Sequence, residues 1–225
     1  MLDTRFPRPM GDLGNPASWA VPVELIVIEG VGPQQAVTTA QDLRAGELLP
    51  LFTHGIRQLE KRGVAAITTS CGFLVLLQDE LAKASQVPLV TSSLMLLPEL
   101  LDREQAVGVL AISAERLGDE HLLSAGVLPD RLRDVIVEGM PPDSAFARSL
   151  LGNRSGMDFD RVAHEVEAAA QRLKARAPHL TTLVLECTNL PPYAHRIREA
   201  TGWRVMSLFD SSRLKVALST DHLAA

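Results

Sequence analysis

The chain has 225 residues, of which 46% are hydrophobic, so it is long and apolar enough to bury one large core or two smaller ones without disulfides. Its net charge is −5 at pH 7 and its Lys and Arg residues are scattered, which excludes a basic face for nucleic acid or an anionic membrane. No apolar run reaches the roughly 18 residues of a membrane span, and the first residues lack the apolar core of a signal peptide. We therefore expect a cytoplasmic protein.

Strand patterns alternate with helix patterns along the chain. In chain order, the sequence predicts a loop at 11–16, a strand at 21–28, a helix at 50–62, a strand at 64–71, a helix at 72–86, a strand at 87–93, a helix at 93–101, a strand at 106–112, a helix at 115–126, a strand at 133–139, a loop at 140–158, a helix at 160–177, a strand at 180–187, a strand at 203–208 and a helix at 211–218. Pro22 places the first strand at an edge or at its own first residues. Asp158 or Asp160 is expected to cap the long helix. The alternation predicts parallel sheets joined by right-handed crossovers.

The two cysteines occupy equivalent positions in a duplicated unit. Cys71 ends one apolar run and Cys187 ends another, and the next strand begins at the same distance after each, at Val87 and Trp203. Both thiols are therefore expected at the carboxyl ends of parallel strands, where ligands bind in α/β units. In a cytoplasmic protein they are expected to be free thiols rather than a disulfide. Two buried, inert cysteines are the alternative interpretation.

The expected position of the thiols indicates a chemistry. A thiol at a helix amino terminus is expected to have a lowered pKa, because backbone N–H groups stabilise the thiolate. Two thiols that face a shared cleft from opposite sides can remove a proton from one face of a carbon and return one on the other face. Stereochemical inversion by two thiols is therefore the leading hypothesis.

Polar residues around both cysteines are predicted to bind the substrate, since hydroxyls and amides at the end of an apolar strand are costly to bury without partners. Helix capping is the alternative role for the hydroxyl and amide side chains. The glycine of the first box can instead allow close approach of the backbone to a ligand. Glu186 is equally compatible with exposure to solvent or with a basic neighbour. The candidates are Thr69, Ser70, Gly72, Ser92, Thr188 and Asn189.

The two cysteine boxes carry a resemblance to a known family. They read Thr69-Ser70-Cys71-Gly72-Phe73 and Glu186-Cys187-Thr188-Asn189, the second followed by Leu190-Pro191-Pro192-Tyr193. Over nearly the whole chain the pattern resembles the aspartate/glutamate racemase superfamily. The Cys-Gly of the first box departs from the Cys-Asn-Thr of typical glutamate racemases. Asp3-Thr4 resembles the Asp-Ser pair that follows the first strand in those enzymes, with that strand shortened to Met1-Leu2.

The resemblance implies a cofactor-independent mechanism, with no metal and no pyridoxal phosphate, and a homodimer. It implies that Cys71 and Cys187 are the opposed acid and base and that Asp3 and Thr4 bind the substrate. The predicted function is a racemase or epimerase of a small carboxylate, such as an amino acid or a close derivative. Two alternatives stay open: a maleate-type cis-trans isomerase that uses one cysteine as nucleophile, and a non-catalytic small-acid binding protein. A decarboxylase of the superfamily keeps only the second cysteine, so the presence of both thiols argues against that activity.

The predicted fold is α/β, with two pseudo-symmetric lobes, each a parallel sheet flanked by helices, and the active site in the cleft between them. The first lobe is predicted to comprise residues 1–103 plus 211–225, and the second lobe residues 104–210. Residues 11–15 either close over this cleft or form only a tight turn.

Overall fold

Strands and helices alternate along the chain as the sequence pattern predicts, and the computed structural model describes them for residues 1–220. The strands are β1 Ile67–Thr68, β2 Leu89–Val90, β3 Val107–Ala111, β4 Val135–Gly139, β5 Thr182–Leu185 and β6 Arg204–Met206. The α-helices are α1 Pro33–Ala36, α2 Ala40–Ala45, α3 Leu48–Glu60, α4 Gln78–Ala84, α5 Leu97–Leu101, α6 Asp119–Ser124, α7 Ala145–Leu151, α8 Phe159–Arg176, α9 Ala194–Thr201 and α10 Ser212–Thr220. Short 3-10 helices cover Pro16–Ser18, Gly72–Leu77, Ser93–Leu96, Pro129–Asp134, Pro191–Tyr193 and Leu208–Asp210.

The strands form two parallel sheets, one with the order β1-β2 and one with the order β4-β3-β5-β6. In the larger sheet Val109 of β3 lies opposite Val137 of β4 on one side and Val184 of β5 on the other. Every residue of β3 and β5 is buried. A parallel strand covered on both faces needs such a continuous apolar run. The predicted α/β fold with parallel sheets flanked by helices is confirmed.

Helix α8 packs against the larger sheet and matches its prediction closely. The side chain of Asp158 accepts a hydrogen bond from the backbone N–H of Arg161 at 3.0 Å, so Asp158 is the capping residue. The buried face is formed by Val162, Val166 and Leu173 together with the alanines between them. Apolar residues at this spacing form one stripe on a helix, which is why the sequence pattern was clear here.

The prediction of a strand at 21–28 is wrong. The segment contains one isolated bridge, between Ile28 and Leu2. Pro22 has no N–H to donate to a ladder. Met1 and Leu2 meet only the last three residues of the segment: the amino group of Met1 donates to the Ile26 carbonyl, and the Ile28 N–H donates to the Met1 carbonyl at 2.9 Å.

The prediction of a loop at 140–158 is also wrong, because the segment contains α7. Ser144 caps this helix by accepting a hydrogen bond from the Ala147 N–H at 3.1 Å. Phe146 and Leu150 bury its apolar side. A helix of only seven residues shows too few repeats to reveal its period, and the prolines and glycines on either side indicated a loop.

Other predicted elements exist with different bounds. The helix predicted at 72–86 begins as the 3-10 helix Gly72–Leu77, in which every residue is buried, and becomes α-helical at α4. The strands predicted at 64–71 and 180–187 form ladders only over β1 and β5. The helix predicted at 115–126 begins at Asp119. A fully buried turn carries no polar face, so its backbone type leaves no pattern in the sequence.

The terminal helix α10 packs Leu214 against Leu13 and Val90 of the smaller sheet. The division into lobes at residues 103/104 and 210/211 stays a prediction, and residues 221–225 of the first lobe lie outside the described residues. Within residues 1–220, no helix is both long and apolar enough to cross a membrane.

Candidate functional site

Cys71 and Cys187 follow strands of different sheets and line the same cavity. Cys71 comes shortly after β1 and is the residue from which the 3-10 helix Gly72–Leu77 begins. Cys187 comes directly after β5 and Glu186 and precedes a turn. Both are buried free thiols. The structure therefore brings together the two residues that the duplicated unit indicates.

The cavity is small and has few polar groups. Its volume is about 20 Å³, which is room for about one water molecule. Among the described residues that line it, the ionisable side chains are Cys71, Cys187 and Glu186, and the other polar side chains are Ser70, Thr188 and Asn189. The remaining lining residues are apolar apart from their backbone. No Lys, Arg or His side chain is part of this lining.

Glu186 is a buried acid without a partner. Its exposed fraction is 1%, and neither carboxyl oxygen has a hydrogen-bond partner. Burial raises the pKa of this carboxyl to about 8, and the N–H of Ile112 opposes the rise without reaching either oxygen in hydrogen-bond geometry. The sequence allowed exposure to solvent or a basic neighbour for this residue, and the structure shows neither.

Gly72 leaves the space that Glu186 occupies. A Cβ atom at position 72 would overlap Glu186 Oε1 and would lie 2.5 Å from the Glu186 backbone oxygen. The expectation was that this glycine allows close approach of the backbone to a ligand. In the structure the group that approaches is Glu186, and an approach to a ligand stays a prediction. The requirement for glycine is one of space, since its backbone does not adopt a positive φ.

The expectation that the thiols have lowered pKa values is wrong. Burial, and secondly the Glu186 carboxyl, raise the pKa of Cys71 to about 12. The backbone N–H groups of Phe73 and Leu74 and the Arg8 guanidinium oppose this rise. The stabilising N–H groups at the helix start are therefore present, but the cost of burying a thiolate is larger than their effect.

Cys187 has an even less favourable setting for a thiolate. Burial and then Glu186 raise its pKa well above the ordinary value, and the Asn189 N–H opposes this. Its Sγ donates a hydrogen bond to Asn189 Oδ1 at 3.5 Å, which favours the protonated thiol. Asp12 contributes a further rise.

Asp12 is a residue of this site that sequence reasoning missed. It is 1% exposed, and its Oδ2 accepts a hydrogen bond from Asn189 Nδ2 at 2.6 Å. Its Oδ1 is paired with Arg8 at 2.8 Å. The Leu13 N–H donates to the Thr188 carbonyl at 3.2 Å, so the loop at 11–16 is anchored to the second cysteine box. An Asp among Gly, Asn and Pro gave only a turn signal in the sequence.

Four of the predicted binding residues line the cavity with the cysteines, namely Ser70, Gly72, Thr188 and Asn189. Thr188 Oγ1 donates to the Ser70 carbonyl at 2.8 Å, which joins the two cysteine boxes directly. Ser70 Oγ accepts from the Leu2 N–H at 3.2 Å. Their role in substrate binding stays a prediction.

The other four predicted binding residues are not among those that line the cavity. Thr69 Oγ1 donates to the Thr91 carbonyl at 2.7 Å, and Ser92 Oγ caps a 3-10 helix through the Leu94 N–H at 3.2 Å. Asp3 Oδ2 accepts from the Gly30 N–H at 3.2 Å. Thr4 Oγ1 accepts a hydrogen bond from Arg8 Nη2 at 3.0 Å.

Within the described part of the chain, no group of three or more His, Cys, Asp or Glu side chains is placed to hold a metal ion.

Proteins with similar sequences share one name. No family model matches the chain. The dimethylsulfoniopropionate lyase of Durusdinium sp. clade D is 30% identical over 212 residues, which cover 89% of this chain and 67% of that protein. Dimethylsulfoniopropionate lyase 6 of Emiliania huxleyi (strain CCMP1516) is 30% identical over 226 residues, which cover 93% of this chain and 55% of that protein. The chain thus spans about two thirds of the first relative and about half of the second.

Solved structures show the same fold at low sequence identity. A glycine-to-cysteine mutant of arylmalonate decarboxylase, in a sulfate-ion-associated form, has a TM-score of 0.55 at 15% identity and covers 93% of this chain and 90% of its own. An aspartate racemase homologue from Pyrococcus horikoshii OT3 has a TM-score of 0.51 at 16% identity and covers 91% of this chain and 85% of its own. The α/β fold expected from the resemblance to the aspartate/glutamate racemase superfamily is confirmed.

The prediction of a racemase, and of an isomerase in general, is wrong, because the relatives that match most of the chain are named as lyases. The fold and the two thiols are equally compatible with a racemase and with a lyase. A base that removes a proton beside a carboxylate serves either reaction, and the presence of a leaving group on the next carbon decides which one follows. That group belongs to the substrate. The homodimer and the cytoplasmic location stay predictions.

Proposed function

The chain belongs to the dimethylsulfoniopropionate lyase family, within the aspartate/glutamate racemase superfamily, and we propose that it cleaves dimethylsulfoniopropionate or a closely similar β-sulfonio carboxylate. The reaction is a β-elimination. A base takes a proton from the carbon beside the carboxylate, and the electron pair of that C–H bond becomes the C=C bond of acrylate. The electron pair of the C–S bond leaves with sulfur, which gives neutral dimethyl sulfide. The proton stays on the base.

The observation that supports this proposal best is the composition of the cavity. Its described lining holds two thiols and one carboxyl and no basic side chain. Such a lining suits a ligand that brings its own positive charge, as a sulfonium ion does. A cation beside the thiols also favours their ionised form, because an opposite charge within a few ångström lowers the pKa of an acid.

We propose Cys71 as the base. Three groups favour its thiolate, namely the Phe73 N–H, the Leu74 N–H and the Arg8 guanidinium. In the empty site its pKa is about 12, so the thiol is protonated at neutral pH. The bound sulfonium ion lowers that pKa and makes the base available only when the substrate is present.

Cys187 keeps its proton in this scheme. One backbone group, the Asn189 N–H, favours its thiolate, whereas Glu186, Cys71 and Asp12 all oppose it. A neutral thiol can donate a hydrogen bond to the substrate carboxylate, on which negative charge grows as the proton leaves the neighbouring carbon. We propose that Cys187 supplies this donor and that the Ser70 hydroxyl supplies a second.

Substrate binding requires the cavity to widen. A volume of about 20 Å³ holds about one water molecule, whereas the proposed substrate has several times as many heavy atoms. The anchored loop at 11–16 borders the second cysteine box, and its displacement is the proposed route of entry. On closing, the same loop keeps water away from the base.

The test is release of both products by the purified protein. Dimethylsulfoniopropionate should yield acrylate and dimethyl sulfide in equal amounts, followed by proton NMR and headspace gas chromatography. Dimethylsulfonioacetate is the matched control substrate, because its sulfonium group is on the carbon beside the carboxylate and β-elimination is impossible. A folded wild-type protein that forms no acrylate above the buffer rate would contradict the proposal.

A further inference from the structure

We infer that Glu186 selects the charge of the ligand: its carboxylate pairs with an onium centre, so that the site binds sulfonium and quaternary ammonium carboxylates and discriminates against uncharged analogues of the same shape. This inference rests on the proposed function, since it names the ligand class of the same site. It extends that class beyond sulfur to trialkylammonium compounds, which we expect to bind without being cleaved.

The first argument is the missing partner of Glu186. Buried polar groups in proteins are almost always hydrogen-bonded or paired, and each exception requires an explanation. Both Glu186 oxygens are buried and unpartnered, and Glu186 lines the cavity that also contains the two thiols. A cation carried by the ligand can pair with this carboxylate. An onium ion, meaning a sulfonium or quaternary ammonium ion, has no N–H or O–H donor, so it suits a site that offers a negative charge but no hydrogen-bond network.

The second argument is that the protein does not supply this cation itself. The guanidinium that acts on Cys71 is that of Arg8, and it is paired with other groups. Its Nη1 pairs with Asp12 Oδ1 at 2.8 Å, and its guanidinium carbon lies 4.7 Å from the centre of the Phe6 ring. Arg8 therefore leaves Glu186 unneutralised within the described part of the chain.

The third argument concerns the rest of the lining. Phe6 and Phe73 contribute aromatic rings to the same cavity, among aliphatic residues such as Ile112 and Leu150. The methyl groups of an onium ion carry its spread-out positive charge and pack well against aromatic and apolar surfaces. An acid and two aromatic residues in the lining of one cavity suit the binding of a methylated cation.

The fourth argument links Glu186 to the base. Glu186 lies against the backbone of Gly72, next to Cys71, and it raises the pKa of both thiols. A cation bound to Glu186 neutralises this effect at both sulfurs. Cys71, Cys187 and the N–H of Ile112 are the ionisable and polar groups that face the carboxyl. Cation binding must displace the proton from Glu186, so affinity for a cation should rise as pH increases towards about 8.

The test compares two unreactive ligands of equal shape. The first is 3-(trimethylammonio)propanoate, and the second is 4,4-dimethylpentanoate, in which carbon replaces the nitrogen and removes the charge. Isothermal titration calorimetry should show that the wild type binds the cation at least about tenfold tighter, which corresponds to about 1.4 kcal/mol. In Glu186→Gln the ratio should fall to about one. Glu99→Gln removes an exposed carboxylate elsewhere, paired with Arg103, and should keep the wild-type ratio.

Two further measurements keep the result decisive. Circular dichroism establishes whether Glu186→Gln is folded. If it is not, Glu186→Asp, which keeps the charge, is expected to retain the preference for the cation. The wild-type protein is expected to lose that preference at pH 5. Failure of the wild type to bind the cation, equal binding of both ligands, or an unchanged ratio in folded Glu186→Gln would overturn the inference. The release assay separates the two proposals. Cation preference without acrylate release refutes only the proposed reaction, and release without cation preference refutes only the role of Glu186.

Discussion

The two cysteine boxes stand at equivalent places in a repeated unit, but their surroundings differ. Cys71 lies at the start of a 3-10 helix, where two backbone N–H groups and a guanidinium favour its thiolate. Cys187 is followed by a turn, and its thiol donates a hydrogen bond to Asn189 Oδ1. Burial keeps both thiols protonated in the empty site, but more neighbouring groups favour a thiolate at Cys71 than at Cys187.

This difference explains why the equivalence of the boxes in sequence was misleading. Symmetric surroundings suit a reaction that must run equally well from either face of a carbon. Unlike surroundings suit a reaction in which one base removes a proton and nothing is returned to the carbon. An elimination is of the second kind, and the larger number of thiolate-stabilising groups around Cys71 than around Cys187 agrees with it.

The largest effect should come from replacing the proposed base. Cys71→Ser should lower kcat/KM for acrylate release by at least about 10³-fold, because a serine hydroxyl is too weak an acid to supply the base near neutral pH. Cys187→Ser should cost only about 10- to 100-fold, since serine can still donate a hydrogen bond. Both variants are compared at saturating and at low substrate. Equal losses in the two variants would contradict the asymmetry.

The next effect concerns the buried acid between the boxes. The folded-state pKa of Glu186, about 8, lies above that of an exposed glutamate, so the folded protein favours the protonated form. Its stabilising contribution is complete below about pH 4.5 and is lost as pH rises towards 8. In urea unfolding, the free energy of unfolding of the wild-type protein should fall by a few kcal/mol between these two pH values, relative to that of Glu186→Gln. Parallel stability curves for the two proteins would show that the carboxyl is not held in its neutral form.

A moderate effect should follow from removing the acceptor of the Cys187 thiol. Asn189→Ala deletes the Oδ1 that binds Sγ and leaves Asp12 Oδ2 without its amide donor. We expect a loss of about 1–3 kcal/mol in the free energy of unfolding, because a buried carboxylate oxygen is left unpaired. Activity should fall less than in Cys71→Ser. Chemical denaturation and acrylate release measure both, and an effect on activity as large as that of Cys71→Ser would assign the leading role to the second box.

The smallest effect should come from the hydrogen bond that joins the boxes. Thr188→Val removes the hydroxyl that donates to the Ser70 carbonyl at 2.8 Å, which should cost about 1–2 kcal/mol of stability. Thr181→Val is the matched control, because Thr181 is exposed and its hydroxyl donates to Glu104. We expect the control to stay within about 0.5 kcal/mol of wild type. Thermal unfolding distinguishes the two, and equal shifts would show that the link between the boxes contributes nothing special.

The sequence predicted those parts of the fold in which burial leaves a regular pattern. Strands β3 and β5 are covered on both faces and read as unbroken apolar runs, and α8 shows a repeating stripe with a clear cap. The sequence did not predict helix α7, because it is short, or the 3-10 conformation of Gly72–Leu77, because that segment is buried on all sides. Their conformation depends on what packs around them.

The site was predicted to a similar, partial extent. The repeat identified the two thiols. The sequence does not show on which side of a strand end a glutamate side chain lies, so it predicted either solvent or a basic neighbour for Glu186. Asp12 was hidden for the same reason, because its partner Asn189 is far away along the chain. The choice between lyase and racemase depends on a leaving group that no residue of the protein contains.

The contact between Gly72 and Glu186 restricts how this site can change over evolutionary time. A side chain at position 72 is incompatible with the glutamate, because even a methyl group would overlap its carboxyl. Loss of the acid alone does not free position 72, because the backbone oxygen of residue 186 would still lie 2.5 Å from a Cβ atom there, whatever the side chain. Position 72 therefore stays confined to glycine as long as this backbone arrangement is kept, and the space beside the first thiol can change over evolutionary time only through its other neighbours.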